Sequence, residues 1–293
     1  MARMARLTRR LNGVFPVAMT RITYRRRLGR PLDLRRPQTY NDKINWLKLY
    51  DYPRNPDVIR CADKYLVRAF AAERGLSAHL NPLIGAWDDP RGIDFDSLPT
   101  QFVLKANHGC HMNIVCRDKA RLDRAWAVGQ LTAWLARDFG RETAQLHYSA
   151  IARKVICEAL IEGERPGQLP ADYKIHCFHG QPAIVNHTTN RAQGILLTHY
   201  DLQWNRLPIS SRPADEPAPR PALLDQMIAV SRAPSKGFRY VRVDLYAPRD
   251  RVILGEMTFT PAAGFNRYAT PEGDRWMGEL LDISDLVARR RRR

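Results

Sequence analysis

R-V-D-L-Y-A-P-R-D-R-V-I-L-G-E-M-T-F-T-P-A-A-G, residues 242–264, carries a period of two on both sides of a polar turn. Val241, Val243 and Leu245 alternate with Arg242, Asp244 and Tyr246. Val252, Leu254, Glu256 and Thr258 take the opposite phase to Ile253, Met257 and Phe259. Such alternation marks two half-buried strands, and residues 248–251 supply the turn between them. With the hairpin centred near Asp250, Asp244 falls opposite Glu256. Carboxylates facing each other across a ladder repel, and a hard divalent cation between them would remove that cost. Magnesium takes one or two protein carboxylates and leaves its other positions to water and substrate phosphates, which suits Asp244, Glu256 and the hydroxyl of Thr258. The same pattern also fits a half-buried hairpin whose acids are simply solvated.

Outward from the hairpin the chain reads as mixed helix and strand. Residues 40–74 are expected to be mainly helical, because Ile44, Leu47, Ile59, Leu66, Val67 and Phe70 recur at helical spacings, and Gly75 ends the region. Residues 82–99 read as loop, with turn signals at Asp89-Pro90 and Arg91-Gly92. Residues 102–105 form a buried strand leading into a loop with Gly109, residues 121–139 a helix with an apolar stripe, and residues 154–161 a closing strand. After a crossing at residues 166–170, strands flank Gly180, a proline-rich excursion covers 208–221, and helix returns at 222–232. This order divides the chain into an Arg-rich segment (1–36), a helical region (37–100), a lid-like α+β module (101–165), a second module with the hairpin (166–288) and a poly-Arg tail (289–293).

At 293 residues, 44% hydrophobic and 26% charged, the chain has the composition of a folded soluble protein, and no run approaches a bilayer span. Five cysteines, an odd number with no C-x-x-C pair, argue against a disulfide framework. A reducing cytoplasm is the expected compartment. The net charge of +17 is concentrated at the ends, and residues 1–32 contain no Asp or Glu. Such ends attract polyanions. Leu7, Leu11, Val14, Phe15 and Met19 lie among the early arginines, a mixture suited to peripheral contact with an anionic membrane. A solvated terminus has the same composition, and a transit peptide stays open, although the long apolar core of a secretory signal is missing.

Five segments fall in a recognisable order: D-K-I-N-W-L-K-L at 42–49, C-A-D-K-Y-L-V-R at 61–68, F-V-L-K-A-N-H-G-C-H-M-N at 102–113, D-Y-K-I-H-C-F-H-G at 172–180 and G-E-M-T-F-T-P at 255–261. Together they resemble the TupA-like ATP-grasp family across residues 35–270. The resemblance implies an α+β, ATP-grasp fold whose two modules enclose ATP, preceded by a reduced, mainly helical region. It also implies ATP-driven joining of a carboxylate to an amine in surface-polysaccharide or teichuronopeptide synthesis. On the same ground Lys105 contacts the ATP phosphates while backbone N–H groups at His108 and Gly109 cover them, and Lys64 is an earlier nucleotide-binding lysine. Glu158 meets adenine and ribose, and main chain near Ile161 meets adenine. Lys174 and Arg191 are cations for substrate or phosphate, and Arg242 or Lys174 orients the acceptor carboxylate. Mg2+ is held by Asp244, Glu256 and Thr258. The chain departs from the family pattern at Cys110-His111-Met112, where a second glycine is usual, and the bulkier loop is expected to reach positive φ less readily.

Three other readings compete. His108, Cys110, His111 and Cys116 are four zinc-capable side chains within nine positions, though not in two separated pairs. Asp94-Phe95-Asp96 has the D-x-D form of a nucleotide-sugar glycosyltransferase, which would leave the hairpin unexplained. The basic charge suits a nucleic-acid or other polyanion binder, yet no zinc finger, basic zipper or aromatic RNA-binding pattern accompanies it, so no specific nucleic-acid partner is expected.

Overall fold

Helices come first along the chain. The computed structural model describes residues 2–163, 170–189 and 196–292, and in it α1 (Ala2–Val14) and α2 (Pro16–Leu28) meet at Phe15. Pro16 opens α2 without loss because an N–H in the first turn has no partner inside the helix. The Arg-rich start is thus helical. In α3 (Tyr40–Tyr50), Thr39 and Asp42 form a capping box. The side chain of Asn55 caps α4 (Pro56–Ala62), and the chain kinks at residues 63–65 before α5 (Leu66–Ala72). The expected continuous helix around Lys64 is therefore a break between two helices.

Residues 82–99, expected as loop, contribute β1 (Leu83–Trp87). It pairs with the strand that closes the first sheet. Next come β2 (Phe102–Ala106), β3 (Asn113–Cys116), α6 (Arg124–Leu135), α7 (Phe139–Thr143) and β4 (Val155–Ala159). The four strands form an antiparallel sheet in the order β1-β4-β2-β3. Phe102, Leu104, Val155 and Cys157 pack one face against Ala127 and Leu131 of α6 and against Ile93, Phe95 and Leu98. Each large apolar side chain so buried contributes roughly 1.5–3 kcal/mol. Alternation turns Lys105 and Glu158 to the opposite face.

The second sheet contains β5 (Asp172–Phe178), β6 (Gln181–Thr189), β7 (Leu196–Tyr200) and β8 (Arg206–Leu207). After α8 (Leu224–Ser235), the hairpin strands β9 (Tyr240–Tyr246) and β10 (Ile253–Thr258) complete it, and α9 (Pro271–Glu279) and α10 (Ser284–Arg291) follow. The order is β10-β9-β5-β6-β7-β8, antiparallel throughout. Ile175, Cys177, Val241 and Val243 belong to the core that includes Met227 and Val230 of α8. The other face carries Lys174, Arg242 and Asp244. The expected poly-Arg tail begins inside α10, where Arg290 lies over the Tyr50 ring and Arg291 donates to the Arg35 carbonyl.

Candidate functional site

Pairing of β9 with β10 sets Asp244 opposite Glu256 and Arg242 opposite Thr258. One detail departs from strict alternation. A bulge between Leu254 and Glu256 pairs Leu254 with Leu245, so Leu254 lies on the core side and Glu256 on the charged side. Gly255 fills the bulge, where a Cβ would come within 2.7 Å of the Tyr246 ring.

Side-chain cations occupy the space between the two carboxylates. Arg242 donates from Nε to Asp244 Oδ1 and from Nη2 to Oδ2, both at 2.6 Å, and from Nη2 to Thr258 Oγ1 at 3.2 Å. Thr258 in turn donates to Glu256 Oε1 at 2.8 Å. Lys174 Nζ is bonded to Asp172 and lies 3.8 Å from Asp244 Oδ2. Burial pushes Asp244 up to about 6 against the pull of Arg242 and Lys174. Burial also opposes ionisation of Glu256, but the charges of Lys64 and Arg242, the Thr258 hydroxyl and Lys174 outweigh it and hold the group down at about 2.

Lys64 joins this cluster to the first sheet. Its Nζ donates to the Gly109 carbonyl at 2.6 Å and lies 3.7 Å from Glu256 Oε2. The kink that carries it is built by Asp63, whose Oδ1 accepts from the Tyr65 N–H and from Asn107 Nδ2, both at 2.8 Å. On the face of the first sheet opposite α6, Lys105 Nζ donates to Glu158 Oε2 at 2.6 Å, and Arg68 donates to Glu158 Oε1 at 3.0 Å. The Tyr246 hydroxyl is driven up by burial and by the carboxylates of Asp172, Glu256, Asp244 and Glu158, so it senses acids from both sheets.

Lys64, Gly109, Lys174, Arg242, Asp244, Glu256 and Thr258 thus form one connected cluster, with Lys105 and Glu158 paired beside it. The His108 side chain is buried, with Nε2 3.2 Å from the Arg137 carbonyl, which leaves the main chain at His108 for any ligand. Ile161 is half-buried just beyond β4. Arg191 and the crossing at residues 166–169 lie outside the described residues. The loop does reach the left-handed region without a second glycine, because His111 adopts φ 58°, a conformation His tolerates better than most residues.

Sequence reasoning missed Arg68, Asp172 and Tyr148, and took Cys110 only as a bulky loop residue or a zinc-capable side chain. Arg68 follows Lys64 by four residues and Asp172 precedes Lys174 by two on one strand face, so both carried a spacing signal. Cys110 bonds to Tyr148 beside Glu256 and is held protonated by burial, and no spacing links the three. The zinc-capable side chains diverge: Cys116 belongs to the core of the first sheet, and no group of three or more His, Cys, Asp or Glu among the described residues could hold a metal ion. Asp94 and Asp96 lie on an exposed loop, with Asp96 paired to Arg124 at 2.7 Å.

Two sheets with charged faces joined through a lysine, and a carboxylate pair on the final hairpin, describe an ATP-grasp enzyme. A model of the TupA-like ATP-grasp family matches residues 42–282, and the chain belongs to that family. No curated protein matches the chain. Among solved structures, D-alanine–D-alanine ligase from Bacillus anthracis complexed with ATP is 16% identical and aligns over 80% of this chain and 68% of its own, with a TM-score of 0.45. The corresponding ligase from Helicobacter pylori is 12% identical over 84% of this chain and 66% of its own, also at 0.45. The ATP-grasp ligase PsnB, complexed with a phosphomimetic variant of its minimal precursor, Mg and ADP, is 13% identical over 83% and 65%, at 0.42.

Proposed function

We propose that the chain is a Mg-ATP-dependent carboxylate–amine ligase that works through an acyl phosphate, with a surface polysaccharide or its precursor as one substrate. The pairing of Asp244 with Glu256 inside a ring of cations carries this reading. The donor set fits magnesium. Two carboxylates and a hydroxyl are hard oxygen donors, and Glu256 stays ionised across the neutral range. When bound, the ion would offset charge on the phosphates. Lys64 and Lys105 are placed for phosphate oxygens, and backbone N–H groups near Gly109 for the remainder. Arg242 now spends its fork on Asp244; released from it, the same planar pair of N–H groups suits an acceptor carboxylate, with Lys174 beside it.

In the reaction the substrate carboxylate attacks the γ-phosphate, giving an acyl phosphate and ADP, and an amine then displaces inorganic phosphate. The residues position and neutralise, and little acid–base chemistry is asked of them. A cytoplasmic site of action is compatible with five free cysteines. Peripheral contact with an anionic membrane would fix the place of work without altering this chemistry.

Asp244→Asn and Glu256→Gln are expected to abolish Mg-dependent ATP turnover while leaving the thermal midpoint within a few degrees of the parent. Unchanged turnover in both variants would refute the assignment. Thermal shifts with nucleotides, with and without magnesium, should favour ATP over sugar nucleotides, and product analysis with uronic acids and amino acids tests the substrate class.

A further inference from the structure

Helix α1 is mounted with its polar side toward the protein. Asn12 Nδ2 donates to the Glu142 carbonyl at 2.7 Å, Arg9 lies 3.9 Å from the Glu142 carboxylate, and Gly13 closes on the Arg141 stem. Residues 9, 12 and 13 cluster on one side of the helix, whereas Leu7, Leu11 and Val14 follow an i, i+4, i+7 row on the other. A helix on a globular protein ordinarily turns such a row inward. Here Leu7 is 56% exposed and Val14 66%, and Phe15 and Ile22 continue the surface at 57% and 44%. These are four of the nine exposed large apolar side chains among the described residues, so the patch is a local concentration rather than ordinary scatter.

The charge that α1 and α2 themselves carry has one sign. Arg10, Arg21, Arg25 and Arg26 are exposed beside it, and residues 1–32 contain no acid. A second copy of the chain would bring like charges together around the apolar row. Nucleic acid would satisfy the arginines and leave the apolar side chains in water. An anionic lipid surface takes both groups at once, the side chains entering the acyl boundary and the arginines meeting headgroups. We propose that the outward face of α1 and α2 docks on a bilayer containing anionic lipid. This does not rest on the ligase reading, since none of these residues belongs to the site.

The test uses the full chain and flotation with phosphatidylcholine vesicles, either pure or containing one-third phosphatidylglycerol. Binding is expected only to the anionic vesicles and should weaken with salt. Each arginine near such a surface is worth about fivefold in partitioning, so Arg21→Gln with Arg25→Gln should weaken binding by about twentyfold or more. Leu7→Ser with Phe15→Ser should weaken it at least about tenfold, without changing the thermal midpoint or ATP turnover in vesicle-free solution. Equal binding to neutral vesicles, no binding to anionic ones, or no effect of the apolar pair would overturn the proposal. So would a concentration-dependent dimer abolished by the apolar pair, which would assign the face to a second copy. Turnover that survives loss of vesicle binding separates failure here from failure of the ligase reading.

Discussion

Lys64 illustrates how much a motif conveys and where it stops. The stretch C-A-D-K-Y-L-V-R marked it as nucleotide-binding by resemblance, and helical periodicity set it within a mainly helical region. In the structure, Asp63 breaks the helix by accepting from the Tyr65 N–H and Asn107, a local competition with helix that Asp is suited to. The amine then reaches the Gly109 carbonyl and approaches Glu256. Facing directions within a strand were legible from a period of two. The partners brought together from distant segments, such as Lys64 with Glu256, depend on how the sheets pack, and spacing carries no record of that. Replacing Lys64 by Met removes one charge-assisted contact, worth about 1.5–3 kcal/mol when made to a charged group. Titration calorimetry with Mg-ADP should therefore show affinity at least about tenfold weaker, with little change in Tm.

At the scale of elements, strands with clean alternation were readable, whereas glycines hid one strand altogether and the phase of one residue in another. β1 reads L-I-G-A-W, short and interrupted by Gly85, where a Cβ would come within 2.3 Å of the Trp87 ring. Its pairing with β4 slips at the same place, and so the stretch resembled loop. Gly255 plays the same part in β10, where the bulge reverses the phase of Leu254 without disturbing Asp244 opposite Glu256. Beyond β10 the turn at Pro261–Gly264 holds Ala262, Ala263 and Gly264 at φ of 50°, 56° and 81°. Helix α3 ties it down: Asn45 Nδ2 donates to the Gly264 carbonyl at 2.6 Å, and buried Lys48 to the Ala263 carbonyl at 2.9 Å. A Cβ on Gly264 would come within 2.8–3.0 Å of the Asn45 amide, whereas Gly75, at φ 76°, has nothing within 4 Å. Both alanine variants meet the left-handed penalty of about 1 kcal/mol, and only Gly264→Ala adds the collision. Denaturant unfolding should show Gly264→Ala costing at least about 1 kcal/mol more than Gly75→Ala; equal losses would mean that Asn45 yields freely.

Across the whole molecule, the basic charge and the buried histidines make acid the condition to which this fold is most sensitive. Burial holds His147 down at about 3, with the Lys48 charge adding to the effect, and burial holds His199 down at about 4. His176 is likewise pushed well below the usual range by burial and by His199, Arg242 and Lys174. An unfolded histidine titrates near 6.5. Below that pH the unfolded chain takes up protons that the folded chain refuses, so stability falls as pH drops from 6.5 toward 4. Each such group contributes a slope of about 1.4 kcal/mol per pH unit. Glu256 acts in a lower window: its contribution is complete above the unfolded value near 4.5 and is lost as pH falls toward 2. The steep loss between pH 6 and 4.5 should thus belong to the histidines. His147 offers the cleanest test, because neither ring nitrogen has a hydrogen-bond partner among the described residues and its ring packs against Tyr52 and Tyr148. His147→Phe keeps an aromatic ring in the same site and removes the titration. It should match or exceed the parent in stability at pH 7, and below pH 6 its stability should decline less steeply by about 1.4 kcal/mol per pH unit. Parallel curves for parent and variant would mean that His147 accepts its proton while the fold is intact.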